Sequence, residues 1–118
     1  MKIYGSPWQP EFCNWAFNLN RGPEILAKWK LIPTNTDILV THGPPKGHGG
    51  NTYDGIDAGC EDLLNEIESR IKPLVHIYGH IHEGYGVTTN GVTYFINASN
   101  CTLRYKPTNK AIVIDISK

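Results

Sequence analysis

Two short apolar runs, each closing on a histidine and then on turn residues, constrain this chain more than any other feature. The first is Asp37-Ile38-Leu39-Val40-Thr41-His42-Gly43-Pro44-Pro45 and the second is Leu74-Val75-His76-Ile77-Tyr78-Gly79-His80-Ile81-His82-Glu83-Gly84. Both have strand length, and one helical segment separates them. Strand, helix, strand is a βαβ unit, whose crossover makes the strands parallel and is almost always right-handed. Parallel strands bring their carboxyl ends to one sheet edge, where open α/β sheets carry ligands. His42 and His80 sit just past their strands, so both are expected at that edge. If the extended backbone persists beyond Tyr78, residues 80 and 82 project to the same side, and His82 joins them. Neutral imidazole is the commonest metal ligand of this kind, so three converging histidines point to a divalent-metal site. His76, inside the second run, reads instead as a hydrogen-bonded structural residue.

The separating helix shows in Cys60, Leu63, Leu64, Ile67 and Ile71, spaced i, i+3, i+4, i+7 and i+11 along one buried stripe. Asp57 is its expected N-cap, and Pro73 stops it. Glu66 with Arg70 and Glu68 with Lys72 are spaced for ion pairs on its wet side. An earlier helix opens at Pro23, with Glu24 in its first turn and Ile25, Leu26 and Trp29 as its apolar stripe. Ahead of that helix, Lys2-Ile3-Tyr4 opens as a strand. Residues 8–22 are irregular and rich in rings and amides. They read either as a loop pinned to the core by its aromatic side chains or as the wall of a ligand pocket. The loop over residues 43–55 holds Lys46-Gly47-His48-Gly49-Gly50-Asn51, which lacks the Gly-x-x-x-x-Gly-Lys-Ser/Thr spacing of a phosphate loop. His48 in such a loop reads as a solvated residue. Ile38 to Val40 is apolar without alternation, as expected of a strand covered on both faces. Asn90-Gly91, between residues 85–89 and 92–97, is a strong hairpin signal, and residues 111–116 read as a last strand.

A length of 118 residues fits one domain. Eleven Lys and Arg balance eleven Asp and Glu, so no charge argument favours a DNA or RNA duplex or an anionic membrane. The apolar runs are too short to span a bilayer, and the N-terminus lacks a signal-peptide pattern. Cys13, Cys60 and Cys101 are odd in number and form no Cys-x-x-Cys, so a reducing, cytoplasmic setting is expected. In that setting the glycosylation patterns at Asn97 and Asn100 are read as chance.

Thr41-His42-Gly43-Pro44-Pro45 followed by Gly79-His80-Ile81-His82 resembles the last two motifs of the calcineurin-like metallophosphoesterases. More narrowly, Ile3-Tyr4-Gly5-Ser6-Pro7-Trp8, Phe17-Asn18-Leu19, His80-Ile81-His82-Glu83-Gly84-Tyr85-Gly86 and Ile96-Asn97-Ala98-Ser99 resemble the metallophosphoesterase-domain-containing proteins. The resemblance implies an α/β fold in which two mixed sheets are sandwiched between helices, with two metals (Mn, Fe or Zn) at the carboxyl edge. It implies that His42 and His80 ligate the second metal and His82 the first. The implied reaction is hydrolysis of phosphodiesters, cyclic nucleotides among them. The family's Asp-x-His, Gly-Asp-x-x-Asp and Gly-Asn-His have no match here. Residues 1–118 therefore read as the C-terminal half of such a domain, a βαβ unit followed by a hairpin and a final strand. As an isolated chain it is expected to be inactive, and either marginally stable or self-associating through exposed sheet surface. The alternative is a non-catalytic metal- or nucleotide-binding module that retains half the site.

Overall fold

A computed structural model describes residues 1–117. In chain order they form β1 (Ile3–Ser6), the two-residue strands β2 (Gln9–Pro10) and β3 (Asn18–Leu19), α1 (Pro23–Trp29), β4 (Ile38–Thr41), α2 (Glu61–Glu66), β5 (Val75–Tyr78), β6 (Gly86–Thr89) and β7 (Tyr94–Asn97). One five-stranded sheet runs in the order β1-β4-β5-β7-β6. Its first four strands are parallel, and β6 lies antiparallel against β7. The α/β class and the expected βαβ unit are present, and β1-α1-β4 supplies a second such unit. Both crossovers step the same way across the sheet, so their common hand places α1 and α2 on one face. The hairpin forms as expected, its turn held by Asn90 Oδ1, which accepts from the Val92 and Thr93 amides at 3.0 and 2.9 Å.

The register sorts the side chains between the two faces. Tyr4, Leu39, His76 and Phe95 occupy one cross-strand row. Leu39 and Phe95, with Tyr4 at the margin, pack against Ile25, Trp29, Leu63 and Ile67 to form the core. The next row over, on the opposite face, holds Ile3, Ile38, Val75 and Tyr94. There Ile3 is 69% exposed, Val40 38% and Tyr94 50%. The expectation that β4 is covered on both faces is thus corrected: helices cover one face, and the other is apolar and partly open.

The last strand is also corrected. Residues 111–116 pair with no strand among the described residues. They are extended, with Ile112, Ile114 and Ile116 half-buried and Ala111, Val113 and Asp115 exposed. Ile114 and Ile116 line one hollow with Val75 and Tyr94, so the segment gains its burial by lying over the open face. Of the two sheets that the resemblance implies, the described residues build one, together with a separate β2–β3 ladder.

The second helix keeps its apolar stripe: Cys60, Leu63, Ile67 and Ile71 are buried. Its ends differ from expectation. Cys60, not Asp57, is the N-cap. Asp57 instead accepts from the Gly47 and Gly59 amides, both at 2.8 Å. The helix closes in a wide π turn over Ile67–Ile71, with Lys72 N–H reaching back to Ile67 O at 2.8 Å. Glu66 is buried, not on the wet side, and is held by Lys30 at 3.0 Å and Arg70 at 3.5 Å. Lys72 has left the helix at φ +46°, and among the described residues Glu68 accepts from Asn90 and makes no ion pair with Lys72.

Candidate metal centre

The turns after β4 and β5 are tied together by the Gly79 amide, which donates to His42 O at 3.0 Å. This brings the His42 and His80 rings to a centroid separation of 4.6 Å, tilted by 45°. The convergence expected of those two residues is therefore met. Behind them, Thr41 Oγ1 lies 2.7 Å from Gly43 O and 2.8 Å from His76 Nε2. The carbonyl can only accept, so the Thr41 proton goes to it, and His76 Nε2–H donates to the hydroxyl. His76 is fully buried, and burial first of all, with His48 nearby, pushes its pKa down to about 3. It is a neutral structural residue, as expected.

His82 is placed differently from the expectation. The extended backbone ends at Tyr78, and His80 adopts φ +68° in a tight turn closed by Ile81 N–H donating to Gly79 O at 2.8 Å. That turn ends the two-residue alternation of the strand, although His82 stays near enough for its charge to act on His80. His82 opens the short 3-10 turn His82–Gly84, with its Nδ1 3.1 Å from Thr102 O. A carbonyl only accepts, so Nδ1 carries the proton and the Nε2 lone pair is left for a ligand.

Burial, then the His42 and His82 charges, lowers the His80 pKa to about 4. Burial also lowers that of His42. Both rings are neutral near pH 7, which is the form that ligates. The donor set thus fits a divalent ion in kind. It falls short in number, because among the described residues no group of three or more His, Cys, Asp or Glu side chains is placed to hold one. Asp54 is engaged by the Thr52 hydroxyl, which holds its carboxyl below the usual range, and Asp57 is engaged by its own loop.

His80 also faces a hollow lined by Gln9, Pro10, Glu11, Phe12 and Arg21. Phe12 meets the His80 ring edge-on at 4.5 Å. Of the two readings of residues 8–22, the pocket wall is the one this geometry favours. Arg21 is anchored by donating to Gly59 O at 2.8 Å and Ala58 O at 3.1 Å. His48 is not a freely solvated loop residue: it stacks on Phe95 at 3.8 Å and meets Thr88 Oγ1 at 2.7 Å. Arg21 and Thr102 carried no signal in the sequence, because each reaches the site by a contact distant along the chain.

No family model matches the chain. It is 53% identical over 116 residues to "Metallophosphoesterase domain-containing protein 1" of Homo sapiens, covering 98% of this chain and 36% of the relative. The Mus musculus protein of that name gives the same figures. A Caenorhabditis elegans protein of the UPF0046 group is 51% identical over 114 residues, covering 97% of this chain and 29% of its own length. The chain spans about a third of the length of these curated relatives.

Proposed function

The chain is related over nearly its whole length to the metallophosphoesterase domain-containing proteins, and from that premise we propose that it carries the histidine part of a divalent-metal site for phosphodiester hydrolysis. His42 and His80 would hold one ion and His82 a second, with Mn, Fe or Zn as the metals and a small phosphodiester such as a cyclic nucleotide as substrate. The observation that carries this reading is the His42–His80 pair at the carboxyl edge of the sheet, its rings 4.6 Å apart. Divalent ions at such a site lower the pKa of water and offset charge developing on phosphoryl oxygens. The chain's own residues orient and shield: Thr102 fixes the His82 tautomer, and Phe12 covers an edge of His80. Arg21 brings a cation to the same hollow, which the Glu11 carboxylate also lines. Three free cysteines support a reducing, cytoplasmic setting, and no helix among the described residues is long and apolar enough to cross a membrane.

A second reading, a metal- or nucleotide-binding module without catalysis, is favoured for these 118 residues alone because, among the described residues, no group of three or more His, Cys, Asp or Glu side chains is placed to hold an ion. Titration calorimetry with Mn(II) and Zn(II) tests the site. The expected result is weak binding that disappears in His80→Ala, and unchanged affinity in that variant rejects it. An assay with bis(p-nitrophenyl) phosphate and cyclic nucleotides in Mn(II) separates the two readings, and the chain alone is expected to show no turnover. Metal-dependent turnover that is lost in His80→Ala would favour the enzyme and make Asp54 and Asp57 the first carboxylates to replace.

A further inference from the structure

Asn97, the last residue of β7, is 1% exposed and spends its amide on backbone around the histidine turn. Its Nδ2 donates to Ile81 O at 2.8 Å and to Gly49 O at 3.0 Å, while its Oδ1 accepts from the Ser99 amide at 3.1 Å. Two carbonyl partners on one side and an N–H on the other leave a single orientation of the amide. Ile81 O is the carbonyl between His80 and His82. Gly49 belongs to the glycine loop that lies against the same turn, where a Cβ on Gly84 would stand 1.9 Å from Gly49 O. Loop and turn therefore meet backbone to backbone, with Asn97 bridging them from beneath.

The turn so held is a strained one. His80 is a non-glycine residue at φ +68°, a conformation that persists only where its surroundings over-determine it. Two bonds close it on either side: Gly79 N–H to His42 O at 3.0 Å, and Ile81 N–H to Gly79 O at 2.8 Å. They fix the peptides on either side of Gly79 and the one from His80 to Ile81, whereas the next peptide, from Ile81 to His82, is held at Ile81 O by Asn97 Nδ2 at 2.8 Å together with the Gly84 amide at 3.0 Å. We propose that Asn97 is the positioning residue of this centre: it holds His80 in the left-handed turn that meets His42, and it sets the offset between His80 and His82. The consequence for metal rests on the metal-site reading above, whereas the consequence for the His80 backbone does not.

The test compares Asn97→Ala with Thr93→Val in the full chain. Thr93→Val removes a buried bond, Thr93 Oγ1 to Pro73 O at 2.6 Å, just ahead of the opposite end of that strand. Thermal unfolding, Zn(II) titration, the visible spectrum of bound Co(II) and the NMR couplings that report the sign of φ at His80 are measured for each. Asn97→Ala is expected to weaken Zn(II) about tenfold or more, as loss of a group that orients a ligand does. It should also change the Co(II) spectrum and take His80 out of positive φ, while Thr93→Val lowers Tm and moves none of these. A folded Asn97→Ala with His80 still at positive φ overturns the proposal, as does an equal effect from Thr93→Val. If the wild type binds no metal, the metal reading fails and the NMR arm still decides Asn97. If Asn97→Ala does not fold, through-hydrogen-bond couplings from the wild-type Asn97 side-chain nitrogen to the Ile81 and Gly49 carbonyl carbons decide instead. Their presence supports the proposal and their absence overturns it.

Discussion

His76 and His80 stand four residues apart and answer to different constraints. His76 lies within a strand, in a row that faces the helices, so its ring is buried and its one bond goes to Thr41. An unfolded imidazole takes up a proton near pH 6.5, whereas in the fold His76 does so only near 3. Between those values the unfolded chain binds more protons, so stability rises with pH. The stabilisation is complete above about pH 6.5 and is lost as the pH falls through that value towards 3. Calorimetric scans from pH 7 to pH 4 should show Tm falling, with a shallower slope in His76→Gln. At neutral pH that variant should lose about 1–3 kcal/mol, the range for disturbing a buried hydrogen-bonded group, and keep its metal affinity. His82→Gln should do the reverse, because His82 lies outside the sheet. A His76→Gln protein that stays folded and loses metal would show that the two roles have been assigned the wrong way round. The structural role of His76 was legible from its place inside an apolar run. The tautomer of His82 was not, because Thr102 lies twenty residues further on.

Among the elements, the glycine loop between β4 and α2 departs most from a generic surface loop. Tyr78 Oη donates to His48 O at 2.7 Å, and Asn97 holds Gly49 O. Gly84 faces the Gly49 carbonyl so closely that an added Cβ meets backbone, which cannot swing aside as a flexible side chain can. Gly84→Ala should therefore lift residues 47–50 from the sheet edge and destabilise the protein by about 1–3 kcal/mol, the usual range for overpacking. Hydrogen exchange checks this: protection should drop in that loop and in the His82–Gly84 turn while β4 and β5 keep theirs. The second helix shows the complementary case. Its apolar stripe was readable because a period near 3.6 survives any neighbour. Its π turn was not, because the apolar stripe runs on through Ile67 and Ile71 and carries no mark of the Lys72 N–H to Ile67 O bond that closes the turn.

At the scale of the whole molecule, one face of the sheet remains apolar and incompletely covered. Ile3, Val40, Val87 and Tyr94 are exposed on strands that are otherwise well packed. Contiguous apolar surface of this kind favours association. The 118-residue chain is expected to sediment as dimers or larger species at micromolar concentration, and Val40→Lys should shift it towards monomer. Sedimentation velocity decides, and a monomeric wild type removes the idea. The segment over residues 111–117 covers part of this face through Ile112, Ile114 and Ile116, so Ile114→Asp should deepen the association.

By itself the sequence determined the βαβ core, the buried stripes, the hairpin and the meeting of His42 with His80. Each of these follows from local periodicity or from the rule that parallel strands end at one edge. Tertiary structure alone decided the rest. The left-handed turn at His80, closed by Ile81 bonding to Gly79, is tied to β4 by Gly79 bonding to His42 and to β7 by Asn97, seventeen positions away, bonding to Ile81 O. Residues 111–116 have the alternation of a strand, yet whether an extended segment joins a ladder or lies over a face depends on which edges and faces other elements leave open. Glu66 belongs by pattern to the wet side of its helix and is instead buried, paired with Arg70 one turn on and with Lys30 just past α1. In each case at least one deciding partner is remote in sequence and adjacent in space, and a local pattern carries no record of it.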